Sequence, residues 1–339
     1  VRESKPKILL LENVPNLQTH DEGNTFQIIK ESIEEEGYHF SSAILSPHNF
    51  GTPQIRKRLY MVGIKKENCN EEEYKFPEGT RQITHVKSIL DKKKSVDKKY
   101  YLSKEETRIL EHWNYFIKNI SPDDKPPSPT WSQDFGRTYS LNHIHPISKQ
   151  WRITVKDLKK NLGKDDLYVP KSRLRKEVLK CFPPYIISAK KPLPEWKKKF
   201  IGNNRSFWEK NEQCLDKDWL SVVRGFEQTY QKFEWQVGDE ARNIWKHMIQ
   251  FRPSGIRVKR TNSIPALVAI AQIPIIGWEK RRMTPKECAR AQDFDVDGVI
   301  SDPYLISHID SNAYKQLGNA VNVKVVKLIF ESVESYLEI

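Results

Sequence analysis

Cysteine and methionine are scarce in this sequence, with four and three copies in 339 residues. Cys69, Cys181, Cys214 and Cys288 lie far apart, and none falls in the C-x-x-C spacing of a redox or zinc site. That distribution predicts a reduced, intracellular protein with no disulfide framework and no metal site. The closest histidine pair, His143 and His145, has no cysteine or acidic cluster beside it. No apolar run approaches the ~18 residues that a membrane-spanning helix needs, so no membrane partner is expected. A basic-then-apolar leader is missing as well. The chain starts at Val1 and is apolar from Ile8, which predicts a fragment, a processed product or one part of a split protein.

What is present is a globular balance of 37% hydrophobic and 30% charged residues, enough for one large core or two modest ones. The net charge of +13 points to an anionic partner. It is concentrated: residues 151–200 hold 15 Lys/Arg against 5 Asp/Glu, a net of +10. Such clustering is the electrostatic footprint of a nucleic-acid binder, with a solvated lysine-rich surface as the alternative. Aromatics interleave it, and at helical spacing these are more often core than base-stacking platforms.

Ile8-Leu9-Leu10-Leu11-Glu12-Asn13-Val14-Pro15 reads as a buried strand that Pro15 ends, with Glu12 where the strand runs out. Asn24-Thr25 can cap a helix to about Glu36, with Phe26, Ile29 and Ile33 on one face and Gly37 as its stop. Strands are expected at Ser41–Ser46 and Leu59–Ile64, so the first 65 residues resemble half of a doubly wound α/β sheet. The middle, to about Lys280, shows short helices, Ser103–Asn119 and a weaker Asn203–Leu220, without β–α alternation. Regular structure returns at Thr284-Pro285-Lys286-Glu287, a capping box with proline at the first helical position. An apolar run from Val321 to Tyr336 suits a helix packed on a sheet, which would join the two ends into one domain.

Three further stretches carry chemistry. Gln54-x-Arg56-x-Arg58 has strand periodicity, which puts the three side chains on one face. Alone, that pattern equally fits a phosphate-binding strand or a surface face. It follows Phe50-Gly51-Thr52-Pro53, about forty residues after Glu12-Asn13-Val14. Downstream come Arg282-Met283-Thr284-Pro285-Lys286-Glu287-Cys288-Ala289-Arg290 and Gln316-Leu317-Gly318-Asn319-Ala320-Val321. In this order the motifs resemble the later motifs of the DNA (cytosine-5) methyltransferases, specifically over residues 8–64 and 255–330.

The resemblance implies an S-adenosylmethionine-dependent enzyme, cytoplasmic and of bacterial or phage type. It would act on double-stranded DNA in a restriction-modification system and flip the target cytosine from the helix. The implied fold is part of a doubly wound, Rossmann-like methyltransferase domain, residues 1–66 and 283–339. A large target-recognition domain, residues 67–282, would be inserted in it. Glu12 would hydrogen-bond cytosine N3 and its exocyclic amine, and Arg58 would grip O2. Arg56 would act near the phosphates or support the pocket. Gly318, Asn319 and Ala320 match the loop that contacts the cofactor, and Gln54, Lys197, Lys198, Lys199 and Arg282 are the expected DNA contacts. Cys288 would be structural.

Two family motifs do not occur in this sequence. No cysteine follows a proline, and there is no Phe-x-Gly-x-Gly loop. Activity is therefore expected only once a missing N-terminal half is joined, in the same or a second polypeptide. The alternative is a catalytically inert DNA-binding module or regulatory subunit derived from such an enzyme.

Overall fold

The computed structural model describes residues 1–69, 74–80, 84–137, 141, 183, 193–268, 272–297 and 306–337. In chain order the regular elements are β1 (Ile8–Asn13), α1 (Asn24–Glu35), β2 (Tyr38–Leu45), β3 (Gln54–Ile55), β4 (Arg58–Lys65), α2 (Lys104–Asn119), β5 (Thr130–Trp131), α3 (Glu195–Asn211) and α4 (Trp219–Arg224). They continue with β6 (Lys232–Gln236), β7 (Met248–Arg252), β8 (Gly255–Lys259), β9 (Ile264–Pro265), β10 (Ile275–Ile276), β11 (Arg281–Arg282), α5 (Pro285–Arg290), α6 (Asp310–Asn319) and α7 (Val323–Glu334). Two compact units result, residues 1–101 with 260–339, and residues 102–259.

These limits differ from the expected division at 66/67 and 282/283. Residues 84–101 stay with the first unit because they bond to its distant half. Val86 N–H donates to Thr261 O at 2.9 Å, Tyr101 bridges Arg281, and Asp91 is ion-paired to Arg290 at 2.8 Å. Composition cannot reveal pairings across such sequence separations.

The first unit is built on a sheet of order β1-β4-β2. Both outer strands run antiparallel to β4, and so parallel to one another. A doubly wound sheet suggests parallel neighbours. Here the connection from β2 to β4 carries no helical crossover, so β4 returns antiparallel and lies between β1 and β2.

Helices cover both faces, as the α/β reading requires. On one face Leu45, Tyr60, Val62 and Ile64 pack with Val325, Ile329 and Val333 of α7. On the other, Leu9 and Tyr38 meet Ile33 of α1. The alternation follows the two-residue period of a strand. Gly63 lets α1 approach closely: a Cβ there would meet Leu9 Cδ1 at 3.2 Å and Ile33 Cγ2 at 3.3 Å. The N-cap of α1 is Gly23 rather than Asn24 or Thr25, and Thr25 Oγ1 instead bonds His20 Nδ1 at 2.7 Å.

The second unit has an aromatic core. Ser103 caps α2 in a capping box that the sequence did not single out, and Ile109, Trp113 and Phe116 of that helix are buried. Trp113 stacks on Phe233 at 4.8 Å, Phe116 on Trp219 at 5.0 Å, and Phe135 on Trp208 at 4.9 Å. The indole N–H groups of Trp113 and Trp219 donate to Tyr230 O and His112 O, which satisfies their buried polar ends.

Two expectations fail in this unit. The helix foreseen at Asn203–Leu220 begins earlier, at Glu195, and breaks after Asn211 before α4. Strands were not foreseen, yet β5, β6, β8 and β7 pair in that order. Most of the basic segment 151–200 lies outside the described residues, as do Cys181, His143 and His145.

Candidate active site

β1 and β4 place Glu12 and Arg58 together. Glu12 is opposite Tyr60 in the ladder, and Arg58 is the next residue of β4 on the same face. Arg58 Nε lies 2.8 Å from Glu12 Oε1, with both side chains partly accessible. Nη1 of Arg58 donates to Lys57 O at 2.8 Å. Burial pushes the Tyr60 phenol up to about 12, and the negative charge of Glu12 adds to the effect.

Arg56 comes from the same segment and is used differently. It is 4% exposed. Its Nη1 donates to Leu267 O at 2.8 Å, and its Nη2 donates to Gly318 O at 3.1 Å and Ala320 O at 2.8 Å. A planar guanidinium can span three carbonyls in this way and an ammonium cannot. Burial and repulsion from Arg58 pull its pKa down to about 10, against the opposing influence of Glu12 and Tyr60, so it remains charged at neutral pH. The C-terminal end of α6 is thereby tied to the chain that carries Arg58.

A second bond set fixes the same region. Asn322 caps α7 by accepting from Val325 N–H at 3.0 Å, and its Nδ2 donates to Asp293 Oδ2 at 2.8 Å. Thr52 Oγ1 of the Phe-Gly-Thr-Pro turn donates to the same carboxylate oxygen at 2.6 Å. Gln292 Nε2 donates to Leu317 O at 2.5 Å.

The profile of the family described as C-5 cytosine-specific DNA methylase matches residues 1–335. The chain belongs to that family. Its members take the methyl group from S-adenosylmethionine and place it on cytosine C5. Type II methyltransferase M.AluI of Cellulosimicrobium cellulans is 27% identical over 392 residues, covering 97% of this methylase chain and 71% of its own length. For M.BanI of Aneurinibacillus aneurinilyticus the identity is 26% over 353 residues, with 98% and 72% covered. M.SsoII of Shigella sonnei is 47% identical over 104 residues, 30% of this chain.

Of the residues the sequence nominated in this methylase, Glu12, Arg56, Arg58 and residues 318–320 converge, the last at the C-terminal end of α6 rather than in a loop. Gln54 does not join them at an accessible surface. It is 0% exposed in β3, paired in parallel with Ile264, and neither of its side-chain amide atoms has a partner among the described residues. The chain leaves strand geometry at Arg56 and Lys57, so Gln54, Arg56 and Arg58 do not form the single continuous face that the spacing suggested. The buried Gln54 cannot touch DNA from this position.

The residues expected to contact the cofactor leave few free polar groups. The carbonyls of Gly318 and Ala320 are taken by Arg56, and Ala320 N–H donates to Gln316 O at 2.9 Å. Asn319 is exposed and offers its side-chain amide. These residues fit an edge contact and do not enclose a ligand.

Among the expected DNA contacts, Lys197, Lys198 and Lys199 lie in the first turns of α3. Lys198 is paired with Glu195 at 2.7 Å, and Lys199 is exposed. Arg282 lies in β11 opposite Ile275. Its neighbour Arg281 is fully buried, with Nη1 and Nη2 on Glu287 at 2.8 and 2.7 Å and Nε on Glu279 at 2.6 Å.

α5 carries the expected capping box, with Thr284 and Glu287 bonded reciprocally. Cys288 is fully buried in that helix, and burial pushes its thiol well above the ordinary range. Tyr60, Asp293 and Asn322 were not picked out from the sequence. The Asn322 signal was readable, since an Asn directly before the apolar run of α7 is an N-cap pattern. Asp293 had no local signal.

Proposed function

We propose that this chain is the part of a DNA cytosine-5 methyltransferase that holds and polarises the flipped base. The nucleophilic Pro-Cys thiolate and the glycine-rich cofactor loop would come from sequence outside these 339 residues. The Glu12–Arg58 pair carries this reading. One carboxylate and one guanidinium are held 2.8 Å apart at the ends of adjacent strands, and both side chains stay partly accessible. A DNA-binding relic has no use for that arrangement.

Cytosine C5 is a weak nucleophile until a thiolate adds at C6. That addition moves electron density onto C5, N3 and O2. Glu12 would donate a hydrogen bond or proton to N3, and its second oxygen would accept from the exocyclic amine. Arg58 Nη2 is positioned to meet the charge growing on O2. S-adenosylmethionine supplies the methyl group when bound, and Asn319 would contact it. Arg56 acts at one remove by tying the Asn319 end of α6 to the strand end that carries Arg58. Double-stranded DNA is the substrate, read in part by residues 102–259, and the place of action is the cytoplasm.

β1 also supports the proposed partner. It pairs only with β4 among the described strands, and its Leu11 is 39% exposed. An apolar edge strand of this kind is a template for further pairing. The test uses the assembled protein and a duplex with 5-fluorocytosine at the target. Glu12→Gln should bind that duplex but form the covalent complex far more slowly. Trapping at the wild-type rate would remove Glu12 from the chemistry, and no trapping by the assembled wild-type protein would favour the inert-module alternative.

A further inference from the structure

Strands β6, β8 and β7 of the second unit form a sheet with two unlike faces. Register puts Phe233 and Trp235, Ile256 and Val258, Ile249 and Phe251 on one face. The other carries Lys232, Glu234 and Gln236 of β6, Gly255, Arg257 and Lys259 of β8, and Met248, Gln250 and Arg252 of β7. Four of these nine positions are cationic and one is acidic.

Glu234 organises the centre. It is opposite Arg257 in the ladder and accepts from Arg257 Nε at 2.7 Å, with Arg252 Nη1 at 3.4 Å on the same oxygen. One carboxylate is thus shared between two guanidiniums. Lys259 is beside them, and burial with repulsion from Arg257 and Arg252 pulls its pKa down. Arg252 is lowered as well, by burial and then by Arg257. The cations on this face exceed what Glu234 can neutralise.

The excess continues onto α3. Burial lowers Lys197, with Asp134 raising it and Lys232 adding to the lowering. Lys232 itself lies over the Trp131 ring at 5.6 Å. A basic strip therefore runs Lys197, Lys232, Arg252, Arg257, Lys259 across four elements. Without a bound anion, such crowding of like charge is unfavourable, and a phosphate diester would relieve it.

We propose that this strip is a track for the phosphate backbone of duplex DNA, with Glu234 holding Arg252 and Arg257 in place. The inference rests on the methylase reading for the identity of its partner. Apart from Lys197, its residues lie outside the motifs and outside the basic segment 151–200. Phosphate contacts position a protein on DNA without reading sequence.

The experiment measures affinity of the full chain for a duplex as a function of salt. Paired replacement of Arg252 and Lys259 by Gln should reduce the slope of log K against log salt by about two, one for each lost phosphate contact. Lys92, Lys93 and Lys94 are exposed in the first unit, and replacing all three by Gln should leave the slope unchanged. Glu234→Gln keeps a carbonyl oxygen as the acceptor the two guanidiniums share and removes only the negative charge, so it should strengthen binding at low salt. An unreduced slope in the paired variant, or an equal loss in the Lys92–Lys94 control, would overturn the track. So would weaker binding by Glu234→Gln. Circular dichroism of each variant separates loss of the strip from loss of the fold. Methyl transfer by the assembled enzyme is scored separately, so failure of the methylase reading shows there and failure of the track shows in the slope.

Discussion

Arg58 reaches across the β1–β4 ladder to place Nε 2.8 Å from Oε1 of Glu12. The two groups differ by one same-face step along β4, so backbone register sets their meeting before any substrate is bound. Preorganised charge of this kind is what a transition state with developing negative charge on a ring requires.

On the proposed reading the two residues act on one base, so their losses should not add. In the assembled enzyme, Glu12→Gln should lower kcat by about 10²–10⁴-fold. Arg58→Ala should act in the same direction, and the double variant should fall well short of the product of the two effects. Single-turnover methylation with saturating DNA reads this directly. Full additivity would mean that the groups work in separate steps.

Arg56 should behave as a structural cation. Arg56→Met leaves three buried carbonyls unpaired and should destabilise the first unit by about 2–4 kcal/mol in urea unfolding. Arg56→Lys keeps the charge but cannot span Leu267, Gly318 and Ala320, so it should lie between wild type and Met. Retention of wild-type stability by Arg56→Met would show that the carbonyls find other donors.

The Arg281–Glu287 pair offers a contrast between a cap and a buried charge. Glu287 also accepts from Thr284 N–H at 2.8 Å and Asp91 N–H at 2.9 Å. Thr284→Ala should cost about 1 kcal/mol as a lost N-cap. Glu287→Gln leaves Arg281 without its main counter-charge in a fully buried place and should cost about 3–5 kcal/mol. Equal losses from the two variants would show that the cap, and not the ion pair, is what Glu287 provides.

Thiol reactivity should divide Cys214 from Cys288. Cys214 is partly exposed, whereas Cys288 is fully buried with its thiolate disfavoured. Iodoacetamide at neutral pH should label Cys214 in the native chain and spare Cys288 until denaturant is added. Rapid native labelling of Cys288 would contradict its structural placement.

Local patterns were legible in the sequence, and relations across it were not. The strand before Glu12, the helix stopped by Gly37, the Thr284 capping box and the apolar stripe of α7 each declare themselves within a dozen residues. The antiparallel return of β4 between β1 and β2 does not, because it depends on which strands meet. The same limit hid Asp293, which matters only because Thr52 and Asn322 both reach it. It also misled the reading of Gln54: even spacing from Arg58 implied a shared face, but β3 ends at Ile55 and its pairing with β9 turns the amide inward. Strands β6 to β8 were missed because K-F-E-W-Q and G-I-R-V-K are short, and their alternation was submerged in a charged middle region.

On the proposed reading these residues polarise the base while the attacking thiolate lies elsewhere. Tritiated methyl transfer to plasmid DNA tests it, using this chain alone and then together with a family segment that carries the Pro-Cys and Phe-x-Gly-x-Gly motifs. No transfer and no covalent adduct with a 5-fluorocytosine duplex are expected from the chain alone, and both from the combination. Robust C5 methylation by the isolated chain would mean that Cys69, Cys181, Cys214 or Cys288 attacks C6, and would contradict the account.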